Sequence, residues 1–210
     1  MPDRRKTHSR QALRGLTLFL ALLAGPVAAQ AEDCAGTLDL SEGAPGQIAL
    51  ALRLPCDPYA AVALSYGPIR FVEETGIDGQ LDLTLPHLAG ISRLSLTSAD
   101  RVFSADVPVS DSAVAFIALD WAQPVDAVRL SSGDAAAQPM GFPGGLPRAR
   151  VLPVTGQPVH LDLPVTETTC GKELSLRLHR ANSPAVALTV NLPSCDRNGE
   201  TLRLTLDPAG

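Results

Sequence analysis

The stretch Cys34-Ala-Gly-Thr-Leu-Asp-Leu-Ser-Glu-Gly-Ala-Pro-Gly-Gln-Ile-Ala-Leu-Ala-Leu-Arg-Leu-Pro-Cys56 decides the fold. Apolar residues alternate on both sides of Gly43-Ala-Pro-Gly46, with Leu38 and Leu40 before it and Ile48, Leu50, Leu52 and Leu54 after it. Alternation with period two puts one set of side chains on one face of a strand, and a Gly/Pro cluster between two such runs marks a turn. The segment predicts a β-hairpin. A turn at 43–46 sets Leu38 opposite Leu52 and Leu40 opposite Leu50, which brings Cys34 opposite Cys56.

The chain uses this frame twice. Cys170, Leu174 and Leu176 precede a second turn, Ala181-Asn-Ser-Pro184, and Val186, Leu188, Val190, Leu192 and Cys195 follow it. Leu174 then faces Val190, and Cys170 faces Ser194, one residue from Cys195. The extra residue reads as a bulge. A third alternating run follows each frame, Val62/Leu64/Tyr66 and Leu202/Leu204/Leu206, so each unit is expected to be a stapled three-strand meander. Duplication and convergence are both compatible with the pattern. Four cysteines allow three connectivities. The hairpin geometry selects Cys34–Cys56 and Cys170–Cys195, each closing a loop worth roughly 3 kcal/mol. The cysteines lack the short spacing of a zinc site, and neither metal nor cofactor is expected.

Arg4, Arg5, Lys6, Arg10 and Arg14 precede the apolar stretch Leu16–Leu23, and Val27-Ala-Ala-Gln-Ala31 supplies small residues. That order is the pattern of a secretory signal, with cleavage expected after Ala29 or Ala31. The apolar stretch is shorter than the roughly 20 residues of a spanning helix, and no membrane span is predicted. The expected compartment is the periplasm, where paired cysteines persist. Removing residues 1–31 takes away five basic residues and one acidic one, and moves the formal charge from −5 to −9. An acidic chain repels phosphate backbones, so nucleic acid is not an expected partner.

Alternation continues through the mature chain, with strands expected at 36–41, 47–54, 60–66, 68–73, 79–85, 91–98, 101–107, 113–121, 126–131, 149–153, 157–163, 172–178, 185–192 and 201–206. Short strands with regular turns point to an all-β protein of antiparallel sandwich units. The Gly/Pro/Ala-rich tract within 131–148 reads as a linker between a first domain, 32–130, and a small second domain, 149–210. Its apolar tip, with Met140, Phe142 and Leu146, is the candidate contact surface.

Catalytic patterns are sparse. The chain has no Gly-x-Ser-x-Gly elbow, and the mature histidines are His87, His160 and His179. His160 and His179 fall on the faces opposite the leucines of their strands and are expected at the surface. Pairing of those two strands would set His160 opposite Ser175. Glu73, Glu74, Asp78 and Asp82 surround the turn signal Asp78-Gly79 and read as a solvated hairpin tip. Asp57 and Asp196 each follow a frame's second cysteine and are expected to cap turns. No catalytic residue is assigned.

The run Thr75-Gly-Ile-Asp78-Gly79-Gln80-Leu81-Asp-Leu83-Thr-Leu85-Pro86, followed by Ile91–Ser98, resembles transthyretin-like, carboxypeptidase-regulatory β-sandwiches. The resemblance spans 68–107 and implies an immunoglobulin-like or transthyretin-like sandwich without an activity. The wider pattern from Leu54-Pro-Cys56 to Ala118-Leu-Asp-Trp121 resembles a group of exported alphaproteobacterial β-proteins, some labelled translocase. Neither a nucleotide site nor a predicted span accompanies that label here. The expectation is a non-enzymatic binding or scaffolding protein of the cell envelope with an envelope protein as partner. The alternative is a hydrolase with its site at the domain junction.

Overall fold

A computed structural model describes residues 34–125, 128–154 and 156–207. The export segment lies outside the described residues. The first frame forms β1 (Thr37–Glu42) and β2 (Gln47–Arg53), with Leu38 facing Leu52 and Leu40 facing Leu50. Cys34 is bonded to Cys56, with the Cα atoms 5.3 Å apart. β5 (Gln80–Pro86) pairs with the other edge of β2 and completes a three-stranded sheet. β3 (Ala61–Tyr66), β4 (Ile69–Glu74), β6 (Arg93–Ser98) and β7 (Arg101–Asp106) form a second sheet in the order β4-β3-β6-β7.

The second half repeats the device. β14 (Glu173–Arg180) and β15 (Val186–Asn191) form the second hairpin, with Leu174 opposite Val190. Cys170 is bonded to Cys195, which opens a single 3₁₀ turn, Cys195–Arg197, in place of the expected bulge. β8 (Phe116–Trp121), β11 (Gln138–Met140) and β12 (Arg148–Pro153) join this hairpin in a five-stranded sheet, order β11-β12-β8-β14-β15. β9 (Arg129–Ser132), β10 (Ala135–Ala136), β13 (Val159–Pro164) and β16 (Thr201–Leu206) form the fourth, order β10-β9-β13-β16. Every ladder in the four sheets is antiparallel, so the chain is all-β and sandwich-like.

Three expectations are corrected here. The stapled hairpins are not meanders. β3 leaves β2 for the second sheet, and β16 leaves β15 for the fourth, so each third strand crosses to another sheet. That crossing lets each disulfide-closed hairpin bury its leucines against a sheet that its own continuation joins. The tract 131–148 is not a free linker, because β10 and β11 lie within it and pair with β9 and β12. The expected division into domains 32–130 and 149–210 does not hold either. β8, from the expected first domain, is hydrogen-bonded between β12 and β14 of the second. The described residues from Cys34 onward form one compact unit.

Two apolar cores meet at the five-stranded sheet. One face of β8 and β12 gives Phe116, Ala118, Ala149 and Val151 to the first core, beside Leu64, Tyr66 and Phe71. The other gives Ile117, Leu119, Trp121 and Leu152 to the second, beside Leu161, Leu174 and Leu176. All six residues of β8 are buried. A strand covered on both faces needs apolar side chains at both parities, and burying each large one contributes about 1.5–3 kcal/mol.

Candidate functional site

Buried sheets leave their polar groups few partners, so a charged residue inside one has to be satisfied by specific neighbours. Asp120 is such a residue, 1 % exposed on the first-core face of β8. Its Oδ1 accepts from Arg177 Nε at 2.8 Å, and its Oδ2 accepts from the backbone N–H of Arg70 at 3.3 Å. His179 Nε2 donates to Oδ2 at 2.8 Å. His179 is 2 % exposed, which corrects its expected surface position. The alternation along β14 is as expected, but the face opposite its leucines abuts the first half of the molecule here. His179 Nδ1 is buried without a hydrogen-bond partner.

An imidazole fixed by a carboxylate is half of an acyl-transfer device. The other half is an activated nucleophile, and no hydroxyl or thiol is bonded to Nδ1. With both side chains sealed, the pair holds the β4–β8–β14 seam together and meets no substrate in this conformation. The remaining sequence candidates are dispersed. β13 pairs with β9 and β16, so His160 faces Ser131 and Thr205 in place of Ser175, with Nδ1 3.4 Å from the Thr205 hydroxyl. His87 is buried where the chain leaves β5, its backbone bonded to Gly46 and Val114. Asp57 pairs with Arg101, and Asp196 accepts from the Ser194 hydroxyl. Among the described residues no cluster of three His, Cys, Asp or Glu residues suits a metal ion. No helix there is long and apolar enough to cross a membrane.

Of the expected contact residues, Leu146 is exposed at 36 % and Phe142 is half-buried. Met140 is corrected. It is 3 % exposed on β11 and belongs to the first core, because its side chain shares the face of Ala149. The segment carrying them is held against β4, the edge strand of the second sheet. Val72 N–H donates to Pro147 O at 3.0 Å, and Phe142 N–H donates to Val72 O at 3.0 Å. Gly141 N–H donates to Glu73 Oε1 at 2.7 Å. Glu73 is therefore a tether and not part of a solvated tip, and burial pushes its carboxyl pKa up. These bonds satisfy the edge that β4 would otherwise present to solvent.

The tethered segment walls a cavity of about 510 Å³, lined by Pro139, Gly141, Phe142, Pro143, Gly144, Arg148 and Arg150. The Phe142 ring lies where a side chain on Gly145 would have to go, so residue 145 has room only for hydrogen. Arg148 Nε donates to Gly145 O at 3.0 Å. Arg150 Nε donates to Val128 O at 3.2 Å, with the guanidinium carbon 5.8 Å from the Trp121 ring centre. Burial, and then the neighbouring Arg148 charge, pull the Arg150 pKa down. Sequence reasoning singled out the apolar tip and missed both arginines, although their spacing on an alternating strand puts them on one face.

No family model matches the chain, and neither a curated protein nor a solved structure matches it.

Proposed function

We propose that the chain is a non-enzymatic binding or scaffolding protein of the cell envelope, exported to the periplasm after cleavage at Ala29 or Ala31. The two disulfides support an oxidising compartment outside the cytoplasm. The charged, apolar and small-residue order of the first 31 residues supports export. The observation that carries the binding reading is the preformed cavity beneath residues 139–145, with Leu146 exposed beside it. A segment tied to β4 through Val72 and Glu73 presents that surface without first having to be ordered.

The test is a crosslinking pulldown from envelope extract with the mature chain and a Phe142→Ser/Leu146→Ser variant. Deleting the segment would remove Met140 from the core, so substitutions are used. The wild type is expected to recover a partner that the variant loses. Identical recoveries from both would sink the reading.

One observation favours the hydrolase alternative: His179 and Asp120 are 2.8 Å apart at the meeting of the two cores. Turnover of p-nitrophenyl esters abolished by His179→Gln would support it. Absent turnover, or turnover indifferent to that change, removes it.

A further inference from the structure

We infer that the chain pairs with a second copy of itself through the outer edge of β15, with Leu188 on the twofold axis. This interface is separate from the 139–146 surface and does not rest on it. β15 ends the five-stranded sheet, and among the described residues only β14 pairs with it. Leu192 N–H donates to Lys172 O at 2.9 Å, two residues beyond the Leu174–Val190 pair. Antiparallel partners alternate between bonded and unbonded pairs, so Val186, Leu188 and Val190 turn their backbone groups to β14. Ala187, Thr189 and Asn191 turn theirs outward, and all three are exposed. A bare row of such groups is a template for another strand.

The other sheet edges are protected. β4 is bonded to the 141–147 segment, and β10 and β11 are only two and three residues long. Gln138 donates to Thr84 O on β5. β1, β7 and β16 carry charged side chains, among them Glu42, Arg101 and Arg203. β15 has none of these devices: no charged residue stands between Arg180 and Asp196. Val186 is 48 % exposed, and Leu188 is only half-buried against the second core.

The edge is complementary to itself. Pro184 and Pro193 bracket the strand, so the open ladder has the length of β15. Two antiparallel copies with Leu188 facing its mate set Val186 opposite Val190 and Ala187 opposite Thr189. The outward backbone groups then meet as bonded pairs, and apolar side chains meet on the core face. Copies of mature charge −9 repel one another, and an uncharged edge adds nothing to that repulsion. One strand pair is a small interface, so the expected Kd is on the order of 100 µM.

Sedimentation equilibrium of the mature chain at rising concentration is expected to show monomer and dimer. Hydrogen exchange at the Ala187 and Thr189 amides is expected to slow as the dimer forms. Thr189→Pro removes an outward N–H and no bond within the sheet, and it is expected to weaken association at least tenfold at unchanged circular dichroism. Thr189→Lys serves if Thr189→Pro unfolds. Phe142→Ser/Leu146→Ser is expected to dimerise like the wild type, so loss of the envelope-partner reading and loss of this one are seen separately. A monomer at every concentration, a dimer indifferent to the folded Thr189 variant, or a dimer whose Ala187 and Thr189 amides exchange at the monomer's rate would overturn the inference. A monomer that loses an envelope partner on Thr189→Pro would assign the edge to a foreign strand, and that too overturns pairing with a second copy.

Discussion

Asp120 serves three donors from two strands: the Arg70 backbone N–H of β4, and the Arg177 and His179 side chains of β14. Deleting the carboxylate leaves a buried imidazole and a backbone N–H without an acceptor. The Arg177 guanidinium is half exposed and keeps its water, and leaving a buried polar group unsatisfied typically costs about 1–3 kcal/mol. Asp120→Ala is expected to lose that much in urea unfolding. His179→Phe keeps the bonds from Arg177 and Arg70 and removes the unpartnered Nδ1. Its expected cost is about 1 kcal/mol, near that of one lost hydrogen bond. Equal losses in the two variants would show that the imidazole, and not the carboxylate, organises the seam.

At the scale of elements, the segment from β11 to β12 depends on Glu73. The carboxyl pKa of Glu73 is raised from 4.5 by burial, with the Gly141 N–H opposing. A raised folded-state pKa means a contribution to stability that is fully present below about pH 4.5 and lost as pH rises through the folded value. Glu73→Gln keeps an oxygen for Gly141 and removes the titration. The variant is expected to gain on the wild type in urea midpoint as pH rises from 3 to 8, and a constant or shrinking difference would contradict this account. The same tether explains where sequence reading stopped. Hairpins β1–β2 and β14–β15 were legible because their pairing is local and their leucines alternate. The 131–148 tract read as a linker because its order comes from Val72 and Glu73, some 70 residues away. Alternation placed His179 correctly on the face opposite the leucines, yet it carries no information about what covers that face. The departure from alternation at Phe116-Ile-Ala-Leu119 was the available sign that both faces of β8 are buried.

For the molecule as a whole, the shared sheet decides how folding is partitioned. The second core closes only when β8 and β9 pack with the strands after residue 148, since Ile117, Leu119, Trp121, Val128 and Leu130 lie among Leu161, Leu174 and Leu176. A fragment of 149–210 would expose those leucines and leave β14 without β8 and β13 without β9. About 60 residues lacking half their core fall short of the burial an independent domain needs, even with one disulfide. The fragment is expected to give the narrow amide dispersion of an unfolded chain, and mixing it with 32–148 is expected to restore dispersed resonances. In the intact chain, Trp121 fluorescence and far-ultraviolet dichroism are expected to lose signal in one coincident transition. A folded 149–210 fragment, or two separate transitions, would mean that the two cores are independent and that β8 joins them without coupling them.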